Sequence, residues 1–194
     1  MAAAGILGLG ALGANASEID KSPAPIEQLA TNEQEDSYYA INILARTIWA
    51  EGRGEKNLDT ALRAIATSIH NRTQDKIKGG KIADDQLAYA KIVLTPSQYS
   101  AWNGWTLSKP KEYPSAKDRS GRGWAEAQKI AEEMISGSFK PLAQIKNSTH
   151  YFNPKTVRKI PTWSKGQKML KIGNHLFVID KLNFPSPRLG ERKK

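Results

Sequence analysis

Two runs of apolar residues at helical spacing flank a short link that contains glycine. Ile41, Leu44, Ala45 and Ile48 form the first run; Leu58, Leu62, Ile65, Ala66 and Ile69 form the second. Steps of three and four residues place each set on one face, so the pattern predicts two amphipathic helices. Between them stands Trp49-Ala50-Glu51-Gly52-Arg53-Gly54-Glu55. Asn57 is placed to cap the second helix, and Gly52 or Gly54 to end the first in a left-handed conformation. A further helical pattern covers residues 123–136, with Trp124, Ala127, Ile130, Ala131, Met134 and Ile135 largely on one face and Gly137 as its stop. Between the second and this helix, a shorter apolar segment runs from Asp84 or Asp85 to Leu94 and leads into residues 95–103. Towards the C-terminus, alternation at His175, Phe177 and Ile179 predicts a half-buried strand, and residues 149–152 are a candidate partner. The elements together predict an α+β fold, mainly α, with a small antiparallel β-element near 149–179.

The polar stretches divide the chain. Residues 1–16 form an apolar tract rich in Ala and Gly, and Ala14-Asn15-Ala16 before Ser17 resembles a signal-peptidase site. The tract has no Lys or Arg at its start and is short for a membrane span. An atypical export signal, a weak and releasable membrane anchor, and a contact peptide in a larger assembly all remain open. Residues 17–36 are polar and acidic, with Pro23 and Pro25, and read as a linker. The compact domain is expected over 37–180, interrupted by a loop-like stretch at 104–122, and residues 181–194 read as a basic tail.

At 194 residues the chain suits one domain with a sizeable core plus extensions. The charge changes that picture more than the composition does. The net charge is +10, and residues 140–194 hold 13 Lys and Arg against 2 Asp and Glu, whereas residues 1–139 are close to neutral. A basic C-terminal third points to a polyanionic partner, either nucleic acid or the anionic polymers of a bacterial envelope; a solvated basic surface is the plain alternative.

Candidate chemistry centres on Glu51. At the end of a helix the unsatisfied carbonyls carry partial negative charge, which disfavours an ionised carboxylate, and burial beside Trp49 would add to the effect. A carboxylic acid held neutral is what glycosidic cleavage asks of its general acid. On residue type alone, the same Glu before Gly also reads as a solvated helix end. Gln98 offers an amide donor and acceptor, and Tyr99 and Trp102 offer flat faces for a sugar or, equally, core packing. Other chemistries lack their residues. The three histidines, His70, His150 and His175, have no His-Glu-x-x-His spacing for zinc. His70 reads as structural, and His150 and His175 as hydrogen-bonding groups in a cleft. The absence of cysteine excludes a Cys–His nucleophile, and no Gly-x-Ser-x-Gly elbow occurs.

Three blocks, in order, resemble the SleB-type cell wall hydrolases, a group that includes spore-cortex-lytic enzymes and some phage endolysins. The first is Glu51-Gly52-Arg53-Gly54-Glu55 followed by Asn71-Arg72 at the end of the next helix. The second is Gln98-Tyr99-Ser100 with Trp102 close by, where Tyr99 stands for the family's usual Phe. The third runs through Tyr151-Phe152-Asn153-Pro154 and Trp163 to a closing strand, Ile172-Gly173-Asn174-His175-Leu176-Phe177. The resemblance implies a lysozyme-like or lytic transglycosylase-like core with Glu51 as its catalytic acid. The implied activity is bacteriolytic: cleavage of the MurNAc–GlcNAc bond of peptidoglycan to a 1,6-anhydro product, without metal or organic cofactor. Glu51 is expected in a groove lined by some of Gln98, Tyr99, Tyr151, Asn153 and His175. Glu55 is the possible second carboxylate of a lysozyme-type hydrolase; capping the second helix, pairing with Arg53 and repelling charge at Glu51 are its other expected roles. A wall-binding module without catalysis and a nucleic-acid-binding protein are the rival classes. The implied place of action is the bacterial envelope, reached by export or from a phage.

Overall fold

The computed structural model describes residues 33–96, 98–102 and 121–179. The apolar tract, all but the end of the acidic linker, most of the 104–122 loop and the basic tail lie outside the described residues.

Helix α1 spans Glu33–Gly52, so its first turn takes in residues expected to belong to the linker. Glu35 and Asp36 sit there, where the partial positive charge of a helix N-terminus favours carboxylates. Helix α2, Leu58–Lys78, is buried on almost every side between Ala61 and Ile69, with Arg63 the exception. A helix apolar on all sides is a central one. It packs against α1, against the short α3 (Ala88–Val93) and against α4 (Arg122–Ile135), while α1 and α4 also face each other. Leu44 and Ile48 of α1, Leu62, Ile65 and Ile69 of α2 and Ile130 of α4 are fully buried at this junction. Burying each such side chain contributes about 1.5–3 kcal/mol.

The α1–α2 link is tight. A Cβ on Gly52 would lie 2.5 Å from Cδ2 of Leu62, so the end of α1 can touch α2 only where there is no side chain. Gly54 supplies the positive φ, +89°, that turns the chain. Asn57 stands at the N-cap of α2, but its side chain makes no capping hydrogen bond there, contrary to expectation.

The β-element is a three-stranded antiparallel sheet, one strand more than expected: β1 (Tyr151–Phe152), β2 (Met169–Ile172) and β3 (His175–Val178), in the order β1-β3-β2. The segment expected as one closing strand is a hairpin. Ile172 pairs with His175, and Gly173-Asn174 form the two-residue turn between them, with Gly173 at φ +61°. Tyr151 pairs with Phe177, whose ring is fully buried and belongs to the helical core. Helix α2 runs on to Lys78, through residues whose polarity reads as a loop, so Asn71 and Arg72 lie nearly two turns before its end; there they tie the sheet down. Asn71 Nδ2 donates to the carbonyls of Ile145 and Ser148, and Arg72 Nη2 to that of Thr149. The β2–β3 turn itself reaches the α1–α2 link, where Asn174 donates to Glu55.

Candidate active site

Glu51 is the penultimate residue of α1, half-buried at the floor of a cleft of about 410 Å³. Three donors converge on its carboxylate. Ser100 Oγ (2.7 Å) and the Ala101 amide (3.2 Å) bond to Oε1, and the Tyr151 hydroxyl lies 3.4 Å from Oε2. The first two come from a 3₁₀ turn, Ser100–Trp102, which the Trp102 indole anchors by donating to Thr47 Oγ1 of α1 at 2.9 Å. The third comes from β1. Burial raises the Tyr151 phenol well above its ordinary value, and the negative charge of Glu51 adds to the effect, so the hydroxyl stays neutral and able to donate.

The expected neighbour of Glu51 is missing. Trp49 does not line the cleft: its ring meets Trp124 edge-on at 6.4 Å and carries the Arg53 guanidinium at 5.3 Å. Residues two apart on a helix point in different directions, which is why Trp49 cannot bury Glu51.

All seven residues singled out from the sequence, Glu51, Glu55, Gln98, Tyr99, Tyr151, Asn153 and His175, line this one cleft. Their situations differ. Gln98 and Asn153 keep polar groups near the opening. Gln98 Oε1 accepts from Arg72 Nη1 at 2.6 Å, and Asn153 Oδ1 from the Lys155 amide at 3.0 Å. Tyr99 is only 3% exposed, with the Arg72 guanidinium 5.6 Å from its ring, so it is wall and not an open stacking platform. Burial raises its phenol as well, and the nearby Arg72 partly offsets this. His175 is buried too, edge-on to Tyr151 at 5.3 Å, and offers no free face to a sugar.

Glu55 is held by the β2–β3 turn. Its side chain is 4% exposed, and its carboxylate accepts from the Asn174 amide (2.9 and 3.1 Å) and from Asn174 Nδ2 (3.1 Å). His175 Nδ1 lies 3.0 Å from Oε1, but it is out of line for a hydrogen bond, so the contact is one of proximity. A Cβ on Gly173 would fall 2.3 Å from Glu55 Oε2, so the turn glycine also makes room for this carboxylate. Glu55 therefore braces the β2–β3 turn against the helix link.

Of the remaining histidines, His70 sits on α2 with Nδ1 2.7 Å from the Tyr89 hydroxyl, as befits a structural residue. His150 lies against Trp163 and Thr149 Oγ1, outside the cleft lining, and burial with the nearby Arg72 lowers its pKa to about 4. No group of three or more His, Asp or Glu side chains among the described residues is placed to hold a metal ion. Sequence reasoning misses Ser100 as a partner of Glu51. Its signal is the hydroxyl within the same block as Gln98, which becomes informative only once the 3₁₀ turn aims it.

The match to a family settles the relationship. Residues 56–178, more than half of the chain, match the model described as Cell Wall Hydrolase. The chain belongs to the cell wall hydrolase family. Bacterial peptidoglycan is accordingly the polymer on which this hydrolase acts. The matched span begins after Glu51 and Glu55, so membership by itself assigns neither carboxylate. Among solved structures, the catalytic domain of the germination-specific lytic transglycosylase SleB from Bacillus anthracis is similar at 21% identity with a TM-score of 0.46, covering 77% of this chain and 99% of that one. That likeness is too distant to carry an argument about chemistry. No curated protein matches.

Proposed function

We propose that this member of the family cleaves the MurNAc–GlcNAc bond of peptidoglycan as a lytic transglycosylase, with Glu51 as acid and then base. The observation that carries the reading is the contrast between two carboxylates. Glu51 faces the cleft, whereas Glu55 is spent on Asn174. A lysozyme-type pair needs a second carboxylate free to act as nucleophile or to activate water. Here one carboxyl serves twice. Glu51 gives its proton to the glycosidic oxygen as the bond to C1 breaks. The sugar's own C6 hydroxyl then attacks C1, returns a proton to the Glu51 carboxylate and closes the 1,6-anhydro ring. Ser100, the Ala101 amide and Tyr151 orient the carboxyl and stabilise its anionic form between the two transfers, as preorganised donors do. Gln98 and Asn153 hold the glycan, while Tyr99 and His175 shape the wall behind it. The catalytic unit includes all of α1, since that helix supplies Glu51. It acts in the bacterial envelope, after export or as a phage lysin.

Digestion of purified peptidoglycan followed by mass spectrometry tests the product, because an anhydro end is lighter by one water than a hydrolysed end. Glu51→Gln should fold, bind the wall and lose at least about 100-fold in turnover, as an amide cannot replace a general acid. Hydrolysed ends alone would restore the lysozyme-type reading, and full activity of Glu51→Gln would leave a different group as the acid.

A further inference from the structure

Between residues 140 and 179 the chain holds eight Lys and Arg and no Asp or Glu. All eight are exposed, and none of them forms an ion pair among the described residues. Lys155 fixes where this charge meets the cleft. Its amide bonds to Asn153 Oδ1, and its Nζ donates to Asn174 Oδ1 at 3.1 Å; Asn153 and Asn174 both line the cleft. Thr156 and Val157 line it as well, and Arg158 and Lys159 follow directly in the chain. Arg53, exposed and carried on Trp49, lines the same cleft. The acidic groups among its described lining residues are Glu51, on its floor, and Glu55, whose carboxylate is buried against the β2–β3 turn. Among the described residues, and apart from the reacting one, the accessible charge at the rim is positive.

We propose that this rim, led by Lys155, Arg158 and Lys159, binds the free carboxylates of the peptides that the glycan carries, so that the enzyme prefers peptide-bearing, unamidated strands. The inference rests on the reading of the cleft as a peptidoglycan site. A glycan seated in the cleft holds its muramic-acid side chains beside the rim, and their peptides bring carboxylates at disaccharide intervals. An exposed ion pair is worth little alone, so several cations acting together are needed for a measurable preference. Such contacts stand away from the scissile bond and hold ground state and transition state alike. They therefore lower KM and leave kcat alone. Added salt weakens them, since surface charges are screened over about 8 Å at physiological ionic strength.

The test compares the full chain with the triple variant Lys155→Gln, Arg158→Gln, Lys159→Gln, which removes the three charges and keeps a polar side chain at each position. Three preparations of one glycan serve as substrates: stems with free carboxylates, the same stems chemically amidated, and strands stripped of peptide. The unmodified protein should show a KM about five- to ten-fold lower on free carboxylates than on amidated stems, fading as salt rises. The variant should lose that ratio to within about two-fold and keep its kcat on stripped strands. Equal KM values for free and amidated stems, or a variant that keeps the preference, would show the rim to be only a solvated surface. Release by soluble polyphosphate with no response to amidation would make it a phosphate-polymer dock and equally overturn the proposal. Wall pelleting with Glu51→Gln in both backgrounds separates the two readings. Amidation-sensitive pelleting that disappears with the rim charges, in a protein whose unmodified form cleaves no substrate, would refute the enzyme and uphold the rim.

Discussion

Replacing Glu55 separates a brace from a second catalytic carboxylate. Glu55→Ala leaves the Asn174 amide and Nδ2 without their acceptors in a nearly closed site. Hydrogen bonds to a charged group contribute about 1.5–3 kcal/mol each, and an unmet buried donor costs about 1–3 kcal/mol. The two bonds are not independent, so a loss of roughly 3–5 kcal/mol is expected for Glu55→Ala. Glu55→Gln keeps one acceptor oxygen for the backbone amide and loses the charge, at about 1–2 kcal/mol. For a domain of this size each kcal/mol moves Tm by roughly 2–4 °C, so Glu55→Gln should melt a few degrees lower. Its turnover per folded molecule should fall about ten-fold or less, through looser placement of Tyr151 by way of His175. The assay pairs thermal denaturation with peptidoglycan turnover at a temperature where both proteins are folded. An unchanged Tm with turnover as low as that of Glu51→Gln would refute the brace and return Glu55 to the chemistry.

Two other outcomes follow from single contacts. Tyr151→Phe keeps the ring packed on His175 and Phe177 and removes only the hydroxyl at 3.4 Å from Glu51; Tm should hold, and kcat should drop about ten-fold with KM little changed, as steady-state kinetics will show. For His150, burial lowers the pKa from 6.5 to about 4, so the unfolded chain binds the extra proton between those values and stability falls as pH drops through that window. The residue is partly open to solvent, so the loss at pH 4 should be only about 1–2 kcal/mol, read as a denaturant midpoint that His150→Gln makes less pH-dependent between pH 4 and 7.

What was legible in the chain, and what was not, follows from the range of the forces involved. Apolar spacing at Leu44, Ile48, Leu62 and Ile65 reports burial directly, and the helices cover that periodicity, but α2 continues to Lys78 where the apolar pattern has already stopped. Gly137, at φ +77°, stops α4 for a reason local to glycine. The hairpin is also written locally, as Gly173-Asn174, but alternation across His175 and Phe177 is the longer pattern and reads as a single strand. The cleft residues were legible as a set because their blocks resemble, in order, those of the cell wall hydrolases. Their individual roles were not. Whether Tyr99 is a platform or a wall depends on Arg72 lying over its ring. Whether Glu55 is a base or a brace depends on Asn174, far along the chain. A carboxylate's role is decided by the donors that reach it, and those arrive from segments whose approach no local pattern encodes. The different surroundings of Glu51 and Glu55 are thus a property of the tertiary fold. Within the Glu-Gly-Arg-Gly-Glu segment, it is the β2–β3 turn that claims one carboxylate through Asn174, and the 3₁₀ turn and β1 that supply donors to the other.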